Sequence, residues 1–292
     1  MNFDREYTQI LSLVKDDMKK VNEEIVDAIS VAAPLNQELL EFFNAPSKRI
    51  RPLLALLYLK SADIEITERH YSLLGAIELI HNASLIHDDI IDECGIRRGR
   101  TAIHKSFGNK LAVISGDYIL SLAMQKIAAL NSAEILASFS NTMKNMCIGE
   151  INQQFNLFKI PTLEQYIEKS AQKTGNLFKS AIETSLILSG LDAFLGENFA
   201  LNFGIAFQIR DDILNIISCE KFGKPINNDV ECGIYNAPVI FAGGKENIMN
   251  GVEKTYILLN NYIDKSKKYL SNLEDNVYKE ALVKLTEELI NV

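Results

Sequence analysis

The chain is poor in cysteine: Cys94, Cys147, Cys219 and Cys232 are scattered singly along 292 residues. With no C-x-x-C pair there is no zinc knuckle, and free, reduced thiols in a cytoplasm are the expectation. Proline (six) and glycine (fifteen) are scarce and nearly half the residues are hydrophobic, which excludes a disordered chain. Long apolar runs are also missing. "LLALLYL" at 53–59 is too short to cross a bilayer. The opening "MNFDREYTQI" has two acidic residues and no apolar stretch, so no signal peptide and no transmembrane segment are expected. A net charge of −8 excludes general affinity for nucleic acid or anionic lipid. An anionic ligand must therefore meet a local cluster of Lys and Arg, or a metal.

Other absences narrow the chemistry. "GNLFKS" lacks the second glycine of a nucleotide P-loop, no G-x-G-x-x-G opens a helix after a strand, and no EF-hand spacing occurs. Alternating Val, Ile and Thr patterns that a sheet would need are absent. No repeat at solenoid periods and no Ser/Gly/Pro-rich linker divides the chain.

What remains is helical. "YTQILSLVKDDMKKVNEEIVDAI" spaces its apolar residues three and four apart, the stripe of a half-buried helix. The segments 67–94, 111–130, 132–158, 162–190 and 195–220 exceed strand length and hold almost no helix breakers. Breaks fall at "NAPSKRIRP", "CGIRRGR", "KIPT", "SGLDAF" and "FGKPINND". The expectation is one all-α domain over residues 1–292, of about ten to thirteen helices. The segments 67–91 and 195–217, apolar on most sides, should be its central helices.

Each of these two leads into acid. In "SLIHDDIID", Asp88 and Asp92 are four apart and share one helix face, with Asp89 between them. Two such charges at about 4 Å repel by about 4 kcal/mol at an effective dielectric near 20. A helix stop at Gly95 puts them where the macrodipole already disfavours anions, so a cation is implied. The second cluster, "FQIRDDILN", holds Asp211 and Asp212 with Asn215 one turn on. If the two helices bring these ends together across a gap, few, oxygen-only ligands suit Mg²⁺ bridging to phosphate. Basic groups stand close by in sequence: Lys48, Arg49 and Arg51; Arg97, Arg98 and Arg100; Lys173; and Lys224. His87 beside Asp88 suggests a metal phosphohydrolase pair, but that reading leaves the arginines and the second acidic pair unused.

"DDIID" followed by "RRG", then "KT" at 173–174, "FQIRDD" and "GKP", resembles in order and spacing the trans-prenyltransferases, or polyprenyl diphosphate synthases. "SKRIRP" resembles that family's Gly-Lys-x-x-Arg-Pro element, and the likeness spans roughly residues 40 to 240. The resemblance implies an all-α fold around a deep cavity, a homodimer, and about three Mg²⁺ ions per active site. It implies that Asp88 and Asp92, supported by Asp89, and Asp211 with Asp212 nearby, hold the metals. Arg97, Lys173 and Lys224 would grip an allylic diphosphate such as farnesyl or geranyl diphosphate. Lys48, Arg51, His81 and Arg98 would bind isopentenyl diphosphate, and Thr174 and Gln208 would stand beside the reacting carbons.

Ala83 and Ser84, one turn before Asp88, are small where short-chain relatives carry aromatics. That favours a long product, of the hexaprenyl to octaprenyl class, with a floor deeper around Leu120 to Met124. Several positions depart from the pattern. Ser47 stands for Gly, Asn215 for a third Asp, Ile234 for a diphosphate-binding Lys and Asn236 for Thr. These departures raise the alternative of a non-catalytic or partner-dependent subunit of a heteromeric synthase. A terpene cyclase, which shares the first acidic motif, would lack the isopentenyl-binding Lys and Arg set.

Overall fold

The structure is a computed structural model that describes residues 2–222 and 228–291, with side chains from 6 to 217 and from 229 to 291. Lys224 and the side chain of Cys219 lie outside the described residues. None of Cys94, Cys147 and Cys232 is in a disulfide.

The described chain is helical nearly throughout. α1 (Asn2–Ser12), α2 (Lys15–Val26), α3 (Leu35–Asn44) and α4 (Ile50–Ser61) lead into the long α5 (Glu68–Ile91). After a short hairpin, β1 (Ile96–Arg97) and β2 (Arg100–Thr101), come α6 (Ile103–Ala129) and α7 (Ala133–Phe155). α8 (Leu163–Ser170) runs through a π-helical segment, Ala171–Gly175, into α9 (Asn176–Leu188). α10 (Phe194–Phe222), α11 (Asn228–Glu231), α12 (Ala237–Ala242), α13 (Ile248–Lys268) and α14 (Val277–Glu287) complete it. Apart from the single turn of α11, thirteen helices are described, as expected.

Local chemistry sets the boundaries. Ser132 caps α7 by accepting a bond from the Ile135 backbone N–H at 3.2 Å, and Thr162 with Gln165 forms a capping box on α8. α6 begins earlier than the periodicity suggests, but Gly108 (φ 80°) breaks it, and its regular part starts close to residue 111. The only strands among the described residues lie in the "CGIRRGR" break and the threonine that follows it. Arg98 (φ 51°) and Gly99 (φ 75°) sit between β1 and β2, both left-handed as a two-residue I′ hairpin requires.

α5 and α10 are indeed central. Along α5, Leu73, Leu74, Ala76, Ile77 and Leu79 are fully buried, and along α10 so are Phe199, Phe203, Ile209 and Ile213. Phe199, Phe203 and Phe207 recur every fourth residue, and Phe178 of α9 packs against the last two with centroids 5.4 and 5.6 Å away. α9 contacts α4, α5, α7 and α10, so it ties the two acid-bearing helices into one core. Gly204 lets α10 meet the π-helical segment: a Cβ there would stand 2.7 Å from the Gly175 Cα. α6 is long and apolar enough, by length and composition alone, to cross a membrane. It packs along α5 through Ala112, Gly116, Ile119 and Ala123 and leaves Leu111, Val113 and Ile114 exposed.

Candidate active site

One cavity of about 550 Å³ opens between α4, α5, α7, the π-helical segment, α9, α10 and the hairpin. Its lining includes Lys48, Arg51, His81, Ser84, Asp88, Arg97, Arg98, Lys173, Thr174, Gln208 and Asp211. Residues far apart in sequence therefore share one space. Helical spacing explains the α5 wall: Glu78, His81, Ser84 or Leu85, and Asp88 follow at threes and fours on one face. Lys173 and Thr174 lie in the π-helical segment, a backbone form that turns side chains into functional sites.

The acidic residues divide. Asp88 and Asp211 face the cavity, and burial pushes each carboxyl up to about 6. Asp88 has no side-chain hydrogen bond among the described residues, and Asp211 forms an ion pair with Arg210 at 3.9 Å. Asp92 caps the C-terminus of α5, is exposed, and lies outside the cavity lining. Its carboxyl is pushed up by desolvation, then by Glu150 and Asp229. Asp89 turns the other way. It is 3 % exposed and accepts from the Arg97 Nε at 2.7 Å, which fixes the arginine in the cavity wall. Asp212 is also buried, and both of its oxygens are engaged. Gln208 Nε2 and Asn236 Nδ2 donate to Oδ1, each at 3.0 Å, and the Tyr166 hydroxyl donates to Oδ2 at 2.6 Å. Asp89 and Asp212, expected with the metal-holding set, thus anchor neighbouring groups here and do not line the cavity.

The donor set fits Mg²⁺. Asp88 and Asp211 offer hard oxygen atoms that burial makes costly as bare anions. Among the described residues no three His, Cys, Asp or Glu side chains converge on one point. A closed protein cage is therefore not built here, whereas Mg²⁺ retains positions for water and phosphate oxygen.

The cations are held ready. Arg51 lies 4.6 Å from the Phe178 ring centroid, and its buried Nε has no hydrogen-bond partner among the described residues. Arg98 stacks at 5.1 Å on Phe42 and donates to the Phe42 carbonyl at 3.4 Å. Burial, then Arg51, Arg98 and Arg97, hold His81 well below its usual range, so it is neutral near pH 7. Lys173 pairs with Glu150 and donates to Gln153 Oε1 at 3.2 Å. Thr174 donates to Gln208 Oε1 at 2.7 Å, joining the two polar groups expected beside the reacting carbons.

A second, apolar cavity of about 240 Å³ shares Ser84, Asp88, Met146 and Lys173 with the first. Ala83, Leu120, Met143 and Cys147 also line it. Leu120 thus stands where a deeper floor was expected; Met124 is not part of this lining, and α7 supplies Met143 instead.

Sequence reasoning missed Glu78, Glu150 and Lys169. Glu78 lines the main cavity, 2 % exposed, with Arg51, Arg49 and Arg98 opposing the upward push of burial on its carboxyl. A lone acid inside the apolar run "GAIELIH" was the available signal. For Glu150 and Lys169 no local signal pointed to the site, because Lys173 and Asn236, which tie them to it, come from other segments.

Comparison with known proteins places the chain in a family. Residues 33–275 match the sequence profile of the polyprenyl synthetase family. The chain is 30 % identical to a prenyl transferase of Cyanidium caldarium, over 97 % of this chain and 98 % of that protein. It is 36 % identical over 246 residues to solanesyl-diphosphate synthase 2, chloroplastic, of Oryza sativa subsp. japonica, covering 80 % of this chain and 61 % of that longer protein. A polyprenyl synthase from Caulobacter crescentus, crystallised with calcium and isoprenyl diphosphate, superposes with a TM-score of 0.89. The two share 26 % identity, with 98 % of each chain covered.

Proposed function

The chain belongs to the polyprenyl synthetase family, and we propose that it condenses isopentenyl diphosphate head-to-tail onto an allylic diphosphate, giving a long-chain trans-polyprenyl diphosphate. One observation carries the reading: Asp88 and Asp211 line the same cavity as Lys48, Arg51, Arg97, Arg98 and Lys173. Anion binders and cation binders in one space call for a polyanion accompanied by metal.

Arg97 and Lys173, with Lys224 by resemblance, hold the allylic diphosphate. Lys48, Arg51, His81 and Arg98 hold isopentenyl diphosphate. Asp88, Asp92 and Asp211 are the residues that would hold Mg²⁺, which would supply charge neutralisation on the leaving diphosphate. As the allylic C–O bond breaks, negative charge grows on diphosphate oxygens, and the fixed guanidinium and ammonium groups stabilise it without reorganising. The isopentenyl double bond attacks the allylic carbon, a C–C bond forms, and a proton leaves to the released diphosphate. Thr174 and Gln208 place hydroxyl and amide dipoles beside this path. The growing chain enters the apolar cavity past Ala83 and Ser84, whose small side chains leave the way open.

The exposed apolar side chains of α6 (Leu111, Val113, Ile114) and α7 (Ile148, Ile151, Phe155) offer a face for a second copy, and we assign the homodimer to it. The alternative of a partner-dependent subunit is disfavoured, because every described member of the cation and acid set reaches the cavity or anchors a residue that does, apart from the exposed Asp92 and from Arg100, which pairs with Glu38 and Glu41. Purified protein, Mg²⁺, farnesyl diphosphate and labelled isopentenyl diphosphate test the proposal together. Label in a long polyprenyl chain supports it. No incorporation from farnesyl or geranyl diphosphate would refute it, and hydrocarbon formed without isopentenyl diphosphate would indicate a cyclase.

A further inference from the structure

Beside the main cavity lies a polar pocket of about 480 Å³, lined among others by Gln153, Tyr166, Lys169, Gln172 and Ile234. Lys169 is the cation of interest. Its Nζ donates to Asn236 Oδ1 at 2.9 Å and lies 5.7 Å from the Tyr166 ring centroid. Both contacts are with neutral groups, and among the described residues no carboxylate comes within ion-pair distance of it.

Three observations are unusual for a structural lysine. First, Lys169 is one turn before Lys173, and the two ammoniums repel each other. Second, Asp212, Asp229 and Glu150 surround it, yet each is engaged elsewhere. Asp212 accepts from Tyr166, Gln208 and Asn236, Asp229 accepts from Asn236 at 3.4 Å, and Glu150 pairs with Lys173. Third, Asn236 holds the ammonium in place by bridging it to Asp212 and Asp229, at the edge of the second acidic cluster. A half-buried ammonium kept next to a second one, through neutral contacts, is poised for an anion that both can share.

We propose that Lys169 is a diphosphate-binding residue, acting with Lys173 on the allylic diphosphate and supplying the positive charge that Ile234 does not. The inference rests on the prenyl-transfer reading for the identity of the anion. Asn236 is the positioning residue that aims it.

Lys169→Met, Lys169→Arg and the double variant Lys169→Met with Ile234→Lys test this. In K169M, kcat/KM for the allylic substrate should fall about ten- to a hundredfold, the worth of a charge-assisted hydrogen bond. KM for isopentenyl diphosphate should stay within about twofold, and the calorimetric Kd of inorganic pyrophosphate with Mg²⁺ should rise by about the same ten- to a hundredfold. K169R should retain most activity. Lysine restored at 234, in the same pocket, should recover pyrophosphate binding in the double variant, which a merely structural role for Lys169 would not allow. Melting temperatures separate a folding defect, and Lys169→Gln replaces K169M if that variant melts early. Pyrophosphate affinity and allylic kcat/KM both within about twofold of the parent would overturn the assignment. Absence of prenyl transfer in the unmodified chain would refute the functional reading instead, while the pyrophosphate titration would still decide Lys169.

Discussion

Tyr166→Phe removes one oxygen atom and leaves a ring that is 0 % exposed in place. The lost hydroxyl donates to Asp212 Oδ2 at 2.6 Å, and that oxygen has no other hydrogen-bond donor among the described residues. A buried carboxylate oxygen left unsatisfied costs about 2 kcal/mol. With about 2.1 cal/mol/K of unfolding entropy per residue over 292 residues, the melting temperature should fall by about 3 °C.

The cost depends on pH, and its sign follows from Asp212. Burial pushes that carboxyl up to about 7, against the pull of Lys169, Tyr166 and Gln208. Because the folded value lies above the unfolded one, protonation favours the fold, and that contribution is lost as pH rises through about 7. Tyr166 stabilises chiefly the ionised form, so its removal should be felt fully at pH 8. Below about pH 6 the carboxyl is protonated in parent and variant alike, and the difference should shrink to about 1 °C. Thermal melts of the metal-free protein at pH 5 and pH 8 measure both numbers. A deficit as large at pH 5 as at pH 8, or none at pH 8, would refute the placing of Asp212 as an anchored anion.

Asp88→Ala should lower turnover by about a hundred- to a thousandfold in a radiolabel assay without lowering the metal-free melting temperature, since burial already penalises that charge. Near-normal turnover would remove the mechanism. In the parent, Mg²⁺ affinity followed calorimetrically should weaken as pH falls through about 6, where Asp88 and Asp211 take up protons; an affinity flat from pH 8 to pH 5 would contradict this. Ser84 lies on the boundary between the two cavities, so Ser84→Phe should shorten the product, and an unchanged chromatographic profile would count against that. A Cβ at Gly116 would stand 2.1 Å from the His87 Nε2, so Gly116→Ala should swing this ring of the apolar cavity wall and also shorten the product. Product lengths equal to the parent's would show that the ring does not obstruct the chain.

The helices were legible because their signals are local. The segments 67–91 and 195–217 are unbroken, largely apolar lengths beyond any ordinary strand, and Ser132 and Thr162 mark their helix starts within four residues. The hairpin was read only as a break. Its two strands have two residues each, too few for an alternating pattern, and Arg97 of β1 is tied to Asp89 of α5.

The site was legible in composition and order but not in orientation. Asp88 and Asp89 are neighbours, yet a helix sets successive side chains about 100° apart, so one faces the cavity and the other the hairpin. The same rotation separates Asp211 from Asp212. Which member of each pair faces inward depends on donors from distant segments: Arg97 for the first, Tyr166 and Asn236 for the second. Those donors also explain why four acids could gather on two apolar helices at tolerable cost. Asp89 pairs with Arg97, and Asp212 accepts from Tyr166, Gln208 and Asn236, so both hold neighbouring side chains in register. Asp88 and Asp211 face the cavity, where burial raises both carboxyls against the pull of Lys173 and Arg97 on the first and of Arg210, Arg51 and Lys48 on the second. A ligand that brings a divalent cation with its phosphates would offset the remaining cost.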